Sequence, residues 1–172
     1  VTSTLYICWA AQAGLYFHYG IPKYPLQKKM FGIFPQQTSY PQLPIFRGFD
    51  DVFQMPHSRH TEIHRDDILN HPDLTLIAEG DECGVSMVMA RSGREFYITG
   101  HLEYAPNTLD TEYRRDRDVR DDVELPRHYY RNDDPNQPPM VTWRAHANLL
   151  YNNCINYYEA KIGRAVQQEC RD

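Results

Sequence analysis

Thr4-Leu5-Tyr6-Ile7-Cys8-Trp9-Ala10-Ala11-Gln12-Ala13-Gly14-Leu15 changes its pattern at the cysteine. Thr4–Cys8 reads as a short buried strand, and Ala10–Leu15 opens a helix rich in small residues. A strand-to-helix corner with a nucleophile at its tip lifts that side chain above the sheet and aims a helix N-terminus at it. Such a setting lowers a thiol's pKa and makes a thiolate available near neutral pH. Taken alone, Cys8 is more simply a buried core cysteine; residues further along decide between the two.

Downstream of this corner, Tyr19-Gly20-Ile21-Pro22 ends the helix, because Gly suits the C-cap and Pro cannot continue the turn. From Pro22 to Pro44 the Pro, Gln and Lys residues predict loops, with a short strand over Met30–Phe34. Phe46–Val52 and Met55–Glu62 read as a loop carrying polar chemistry, and Arg65–His71 as a short helix. Three strands follow at Leu74–Glu79, Val85–Arg91 and Glu95–Thr99, with Ser92-Gly93 as a tight hairpin turn. Asn107 suits the N-cap of a helix over Thr108–Asp118, and Asp121–Pro139 is a polar, proline-rich loop. A long helix is expected from Trp143 to Lys161, with Leu149, Leu150, Ile155 and Tyr157 on its apolar side. Strands alternating with helices predict an α/β fold with a mostly parallel sheet flanked by helices.

The chain has 172 residues, 41% of them hydrophobic and 24% charged, enough for one domain with a substantial core. A net charge of −5, without a basic stripe, argues against nucleic acid as a partner. No apolar run approaches bilayer length and no signal peptide is read, so a membrane partner is not expected. Cys8, Cys83, Cys154 and Cys170 show no CxxC pair, which fits reduced thiols in a cytoplasmic protein. The chain starts at Val1, directly in what reads as a central strand. The expectation is a single α/β domain over residues 1–172 that forms the C-terminal part of a longer protein.

Phe96-Tyr97-Ile98-Thr99-Gly100 is a buried strand that breaks at glycine, and His101-Leu102-Glu103 follows at once. In an extended segment residues i and i+2 share a face, so the Glu103 carboxylate can orient the His101 imidazole. In open α/β sheets functional groups gather beyond the carboxyl ends of the strands, where both Cys8 and His101 are expected. Cysteine, histidine and carboxylate make a generalised catalytic triad. Met55–His64 holds His57, His60 and His64 near Glu62, but Pro56 and Ser58 predict a loop, and a substrate-contacting role is preferred over a metal site. Glu112, Arg114, Arg115 and Arg117 crowd one helix, mostly as a solvated, ion-paired face. One inward arginine there can clamp a carboxylate. Lys28 and Lys29 are solvated by default.

Taken together, Val1–Ala10, Gly20-Ile21-Pro22-Lys23, Arg47-Gly48-Phe49-Asp50-Asp51, Pro56-His57-Ser58-Arg59 and Thr99-Gly100-His101-Leu102-Glu103-Tyr104 resemble the homoserine O-acyltransferase family of methionine biosynthesis. Asn132-Asp133-Asp134-Pro135 and Trp143–Leu150 complete the resemblance, which runs to about Tyr158. It implies a fold like the class I glutamine amidotransferases (flavodoxin-like), with Cys8 as acyl-thioester nucleophile, His101 as general base and Glu103 as its partner. It also implies substrate contacts at Lys29, Ser58 and Arg115, the last suiting the homoserine carboxylate. The Trp9 backbone N–H, at the helix start, is the expected oxyanion donor. The implied substrates are L-homoserine and acetyl-CoA or succinyl-CoA, with acyl-CoA as co-substrate, no other cofactor, no metal, and a homodimer.

His60-Thr61-Glu62 is similar to the acetyl-using members. This chain differs from the family in having Leu102 where proline is usual and Ala145 where serine is commoner. Members also carry an N-terminal part that supplies a second oxyanion donor and selects the acyl group. Two alternatives stay open: a glutamine amidotransferase-like hydrolase, and a non-catalytic truncated domain. Tyr6 and Ala10 stand where the amidotransferase elbow has glycines, which argues against the first. An exposed sheet edge would mark the second.

Overall fold

In the computed structural model, residues 3–169 are described, with side chains through residue 156. Strand β1 (Thr4–Ile7) runs into helix α1 (Trp9–Tyr19) with only Cys8 between them. Gly20 closes α1 at φ 68°, a left-handed C-cap whose N–H reaches the Leu15 and Tyr16 carbonyls, as the Gly-Ile-Pro segment predicts. Next come β2 (Tyr24–Gln37), β3 (Val52–Glu62), α2 (Arg65–Leu69), β4 (Leu74–Gly80), β5 (Gly84–Ala90), β6 (Glu95–Ile98), α3 (Thr108–Arg117) and α4 (Arg144–Glu169).

The strands form one sheet in the order β1-β6-β5-β4-β2-β3. The α/β class holds, but the sheet is not mostly parallel among the described residues. Only β1 and β6 pair in parallel; the other pairings are antiparallel. Loop length explains this, since a parallel crossover needs a dozen or more residues and the links 81–83 and 91–94 admit only hairpins. The Ser92-Gly93 turn lies where predicted, with Arg91, Ser92 and Gly93 all at positive φ.

Two further expectations are corrected. Pro22–Pro44 is largely the 14-residue β2 rather than loops around a short strand, and Met55–Glu62 belongs to β3 rather than to a loop. Pro56 lacks an N–H to share, which an edge strand such as β3 tolerates.

Helices cover both faces of the sheet. Ala11 and Leu15 of α1 and Ile68 of α2 pack with Val88 and Tyr97 on one side. Leu109 and Tyr113 of α3 and Ala147 and Leu150 of α4 pack with Met55, Met87, Phe96 and Ile98 on the other. The alternation Phe96/Tyr97/Ile98 serves both cores, as a strand buried on two faces requires. On the predicted apolar side of α4, Leu150 is buried and Leu149 half-buried, Ile155 is exposed, and the Tyr157 side chain lies outside the described residues.

Candidate active site

The parallel register of β1 against β6 sets Ile7 opposite Ile98, so the next residues of both strands emerge at the same sheet end. Cys8 is the first of these. Its N–H donates to the Ile98 carbonyl at 2.7 Å, and its own carbonyl accepts the Gln12 N–H at 3.1 Å. The residue has φ 50° and ψ −111°, a backbone state that a non-glycine residue adopts only when its surroundings enforce it. This is the strand–cysteine–helix corner expected from the sequence, with a half-buried thiol at its tip. Trp9 is the first residue of α1, so its N–H points out of the helix start without an intrahelical acceptor.

On the β6 side, Gly100 passes so close to β3 that a Cβ there would stand 2.8 Å from the Pro56 carbonyl oxygen and collide with Met55. His101 N–H then donates to that same carbonyl at 2.8 Å, which anchors the histidine backbone. His101 Nδ1 lies 2.6 Å from Glu103 Oε1. The pair is closed by a turn, with Tyr104 N–H on the His101 carbonyl at 3.3 Å, rather than by an extended segment. Leu102, between them, is buried in the main core. The Tyr104 ring stacks on the imidazole at 4.1 Å, and its carbonyl accepts the Trp143 indole N–H at 3.1 Å.

Burial disfavours the charged imidazolium of His101, yet hydrogen bonds to Cys8 and Glu103, and their negative charge, more than offset it and lift its pKa to about 9. With Nδ1 engaged by Glu103, Nε2 is the nitrogen left for the thiol. Burial raises the Tyr104 pKa, helped by the charges of Glu112, Cys8 and Glu103, so its hydroxyl stays protonated. The fully buried His57 is pushed the other way, by desolvation and by the positive charge of Arg59 and His101.

Lys29 and Ser58 come together on adjacent strands, and both donate to Glu112 Oε1, at 2.6 Å and 2.7 Å. Lys29 also reaches Asp116 at 3.4 Å and lies over the Phe31 ring. Arg115 is not the inward arginine that the helix suggested. Its side chain is 68% exposed and bonds Asp116, with Glu112 4.0 Å away, although it lines the rim of a cleft of about 460 Å³ beside Tyr104. Glu112, the acceptor joining this group, went unrecognised because an acidic residue three before an arginine reads as a surface ion pair.

A larger cleft, about 810 Å³, follows the outer face of α1 and includes Trp9 and Ala10 but neither Cys8 nor His101. The histidines of 55–64 do not converge: His57 is buried in β3, His60 is exposed, and His64 stacks on Tyr24 at 3.6 Å. Among the described residues no group of three or more His, Cys, Asp or Glu could hold a metal ion, and no helix is long and apolar enough to cross a membrane.

The fold is that of the class I glutamine amidotransferases. A glutamine amidotransferase from Thermotoga maritima superposes with a TM-score of 0.55 at 13% identity, covering 87% of this chain and 56% of that one. Another, from Methylobacillus flagellatus, gives 0.58 at 13% identity, covering 90% and 62%. Residues 1–163 match the family model for homoserine O-succinyltransferase. The homoserine O-acetyltransferase of Bacteroides fragilis is 66% identical over 158 residues, 92% of this chain and 52% of that protein. That of Brevibacillus brevis is 55% identical over the same shares. The chain belongs to the homoserine O-succinyltransferase family. It spans about half the length of the curated relatives it matches.

Proposed function

We propose that the chain carries the nucleophile-bearing part of a homoserine O-acyltransferase of methionine biosynthesis, with Cys8, His101 and Glu103 as its triad. One observation carries the reading: the end of β1 delivers Cys8 to an imidazole whose other nitrogen is held 2.6 Å from a carboxylate. The Cys8 thiol gives its proton to His101 Nε2 as its sulfur attacks the acyl-CoA thioester, and the new carbonyl oxyanion is met by the Trp9 N–H. As the tetrahedral intermediate collapses, the C–S bond to CoA breaks and the His101 imidazolium gives its proton to the departing thiolate. Neutral His101 then takes the proton of the homoserine hydroxyl, whose oxygen attacks the acyl-cysteine; collapse frees the sulfur and the O-acyl ester. Glu103 holds the imidazole in the tautomer that serves both steps.

Lys29, Ser58 and Arg115 are proposed to bind the amino-acid acceptor, with Glu112 fixing the first two and offering a carboxylate to its ammonium group. The acyl donor is proposed to be acetyl-CoA, since the relatives named above are homoserine O-acetyltransferases, although the family model is named for succinyl transfer. The test is free-thiol release from acetyl-CoA and succinyl-CoA, with and without L-homoserine. Ping-pong transfer predicts one equivalent of CoA per chain without homoserine and turnover with it. Release that requires homoserine from the first turnover contradicts the acyl-cysteine.

A further inference from the structure

Cys8 sits in a backbone state that only its surroundings can enforce, with φ at 50°. On the strand side the Ile98 carbonyl fixes its N–H. On the helix side α1 brings no device of its own: among the described residues no side chain caps its start, and its first turn holds no acidic residue. What stands there instead is Gln12, a long amide among small residues, only 2% exposed. Its N–H donates to the Cys8 carbonyl at 3.1 Å. Its side chain makes two bonds to one residue of β3. The amide nitrogen donates to the Thr61 carbonyl at 3.2 Å, and Oε1 accepts the Thr61 hydroxyl at 2.5 Å.

Thr61 is itself fixed. Its carbonyl also accepts Nη1 of Arg59 at 2.7 Å, and that guanidinium, 5% exposed, donates through Nη2 to the Cys83 carbonyl at 2.5 Å. Earlier on the same strand, the Pro56 carbonyl accepts the His101 N–H at 2.8 Å. One strand therefore grips both sides of the site, the helix that follows the sulfur and the turn that carries the imidazole. The Pro56 attachment is backbone to backbone. The Thr61 attachment depends on two side chains, so it is the one that a substitution can remove.

We propose that Gln12 and Thr61 form a positioning pair for Cys8: their two hydrogen bonds hold the first turn of α1 to β3 and so keep the sulfur facing the His101 imidazole, whose backbone the same strand anchors. This rests on the reading of Cys8 and His101 as catalytic partners. Neither member of the pair touches a reacting atom; both act through the placement of the corner. Buried polar groups that satisfy one another suit this task, because they fix direction where apolar packing alone lets a helix slide.

Titration of the His101 ring by NMR tests this without requiring acyl transfer, because the Cys8 sulfur is one of the two groups that raise its pKa to about 9. Thr61→Val removes the hydroxyl at nearly constant shape, and Thr61→Ser keeps it. The valine variant is expected to titrate about one pH unit lower, toward the ordinary value of about 6.5, and the serine variant within about 0.3 unit of the parent. Thr38→Val loses a comparable hydroxyl bond, to the Ile77 carbonyl of β4. It should lower the urea midpoint but leave the His101 titration in place. An equal titration in Thr61→Val and the parent overturns the proposal, as does an equal fall in Thr61→Ser or in Thr38→Val. A parent that already titrates at the ordinary value has no sulfur contact to hold and overturns it too. Should Thr61→Val not fold by circular dichroism, the double variant Gln12→Met/Thr61→Val replaces it, since apolar groups in place of both partners leave neither unsatisfied. An unmoved His101 titration there overturns the pair. A lowered titration in Thr61→Val, beside a parent that never releases CoA from acetyl-CoA, would uphold the pair and reject the acyltransferase reading instead. A parent that releases CoA while all the titrations agree would reject the pair alone.

Discussion

His101 and Glu103 are joined by a 2.6 Å Nδ1···Oε1 contact inside a turn, and the imidazole meets Cys8 as well. Both partners stabilise the imidazolium, so the His101 ring is expected to titrate near pH 9 by NMR. Glu103→Gln should move that midpoint down toward the ordinary histidine value of about 6.5. Because the folded value is raised, His101 adds stability that is complete below about pH 6.5 and is lost as pH rises through about 9. Urea midpoints measured across that window should therefore fall more steeply in the parent than in Glu103→Gln. Parallel curves would mean that the carboxylate does not set the titration.

Glu112 accepts both Lys29 and Ser58 while itself half-buried. Glu112→Gln should cost about 1–3 kcal/mol of stability, the usual loss when a charged hydrogen-bond partner goes. In steady-state kinetics it should raise the KM for homoserine by more than it lowers kcat. A variant that lowers kcat alone would move Glu112 out of the acceptor site.

Gly100 lets β6 end against Met55 and Pro56. Gly100→Ala overpacks that contact and should destabilise the chain by about 1–3 kcal/mol. It should also pull the His101 N–H off the Pro56 carbonyl, so transfer activity should fall further than the loss of folded protein explains. Measuring activity per folded molecule separates the two effects.

Cys83 and Cys154 are buried, and burial pushes their pKa values up, that of Cys154 to about 11. Cys8 is the partly exposed thiol of the three. Brief labelling at pH 7 should therefore modify Cys8 well before Cys83 or Cys154, as peptide mass mapping would read directly. Comparable labelling of Cys83 would contradict the packing around Arg59.

Local signals were legible where one residue type has one backbone use. Gly20 capped α1, Ser92-Gly93 turned the hairpin, and the apolar run ending at Cys8 marked the corner. Beyond the Ser92-Gly93 hairpin, strand pairing was misread because alternating helices and strands suggested crossovers, while the short link after β4 dictates a further hairpin. Strands β2 and β3 were hidden by Pro25, Pro35 and Pro56 and by polar residues that an edge hairpin accommodates. The residues of the proposed triad could be named from strand ends. Glu112 could not, since charged residues are mostly solvated and only the three-dimensional fold shows which are buried or shared.

The most direct test of the acyl-cysteine is intact mass after mixing the chain with acetyl-CoA or succinyl-CoA, beside a Cys8→Ala control. The account predicts one acyl group per chain, from acetyl-CoA in preference, absent from the control and discharged by L-homoserine. A folded chain that gains no acyl group, or a Cys8→Ala variant that gains one as readily, would contradict it.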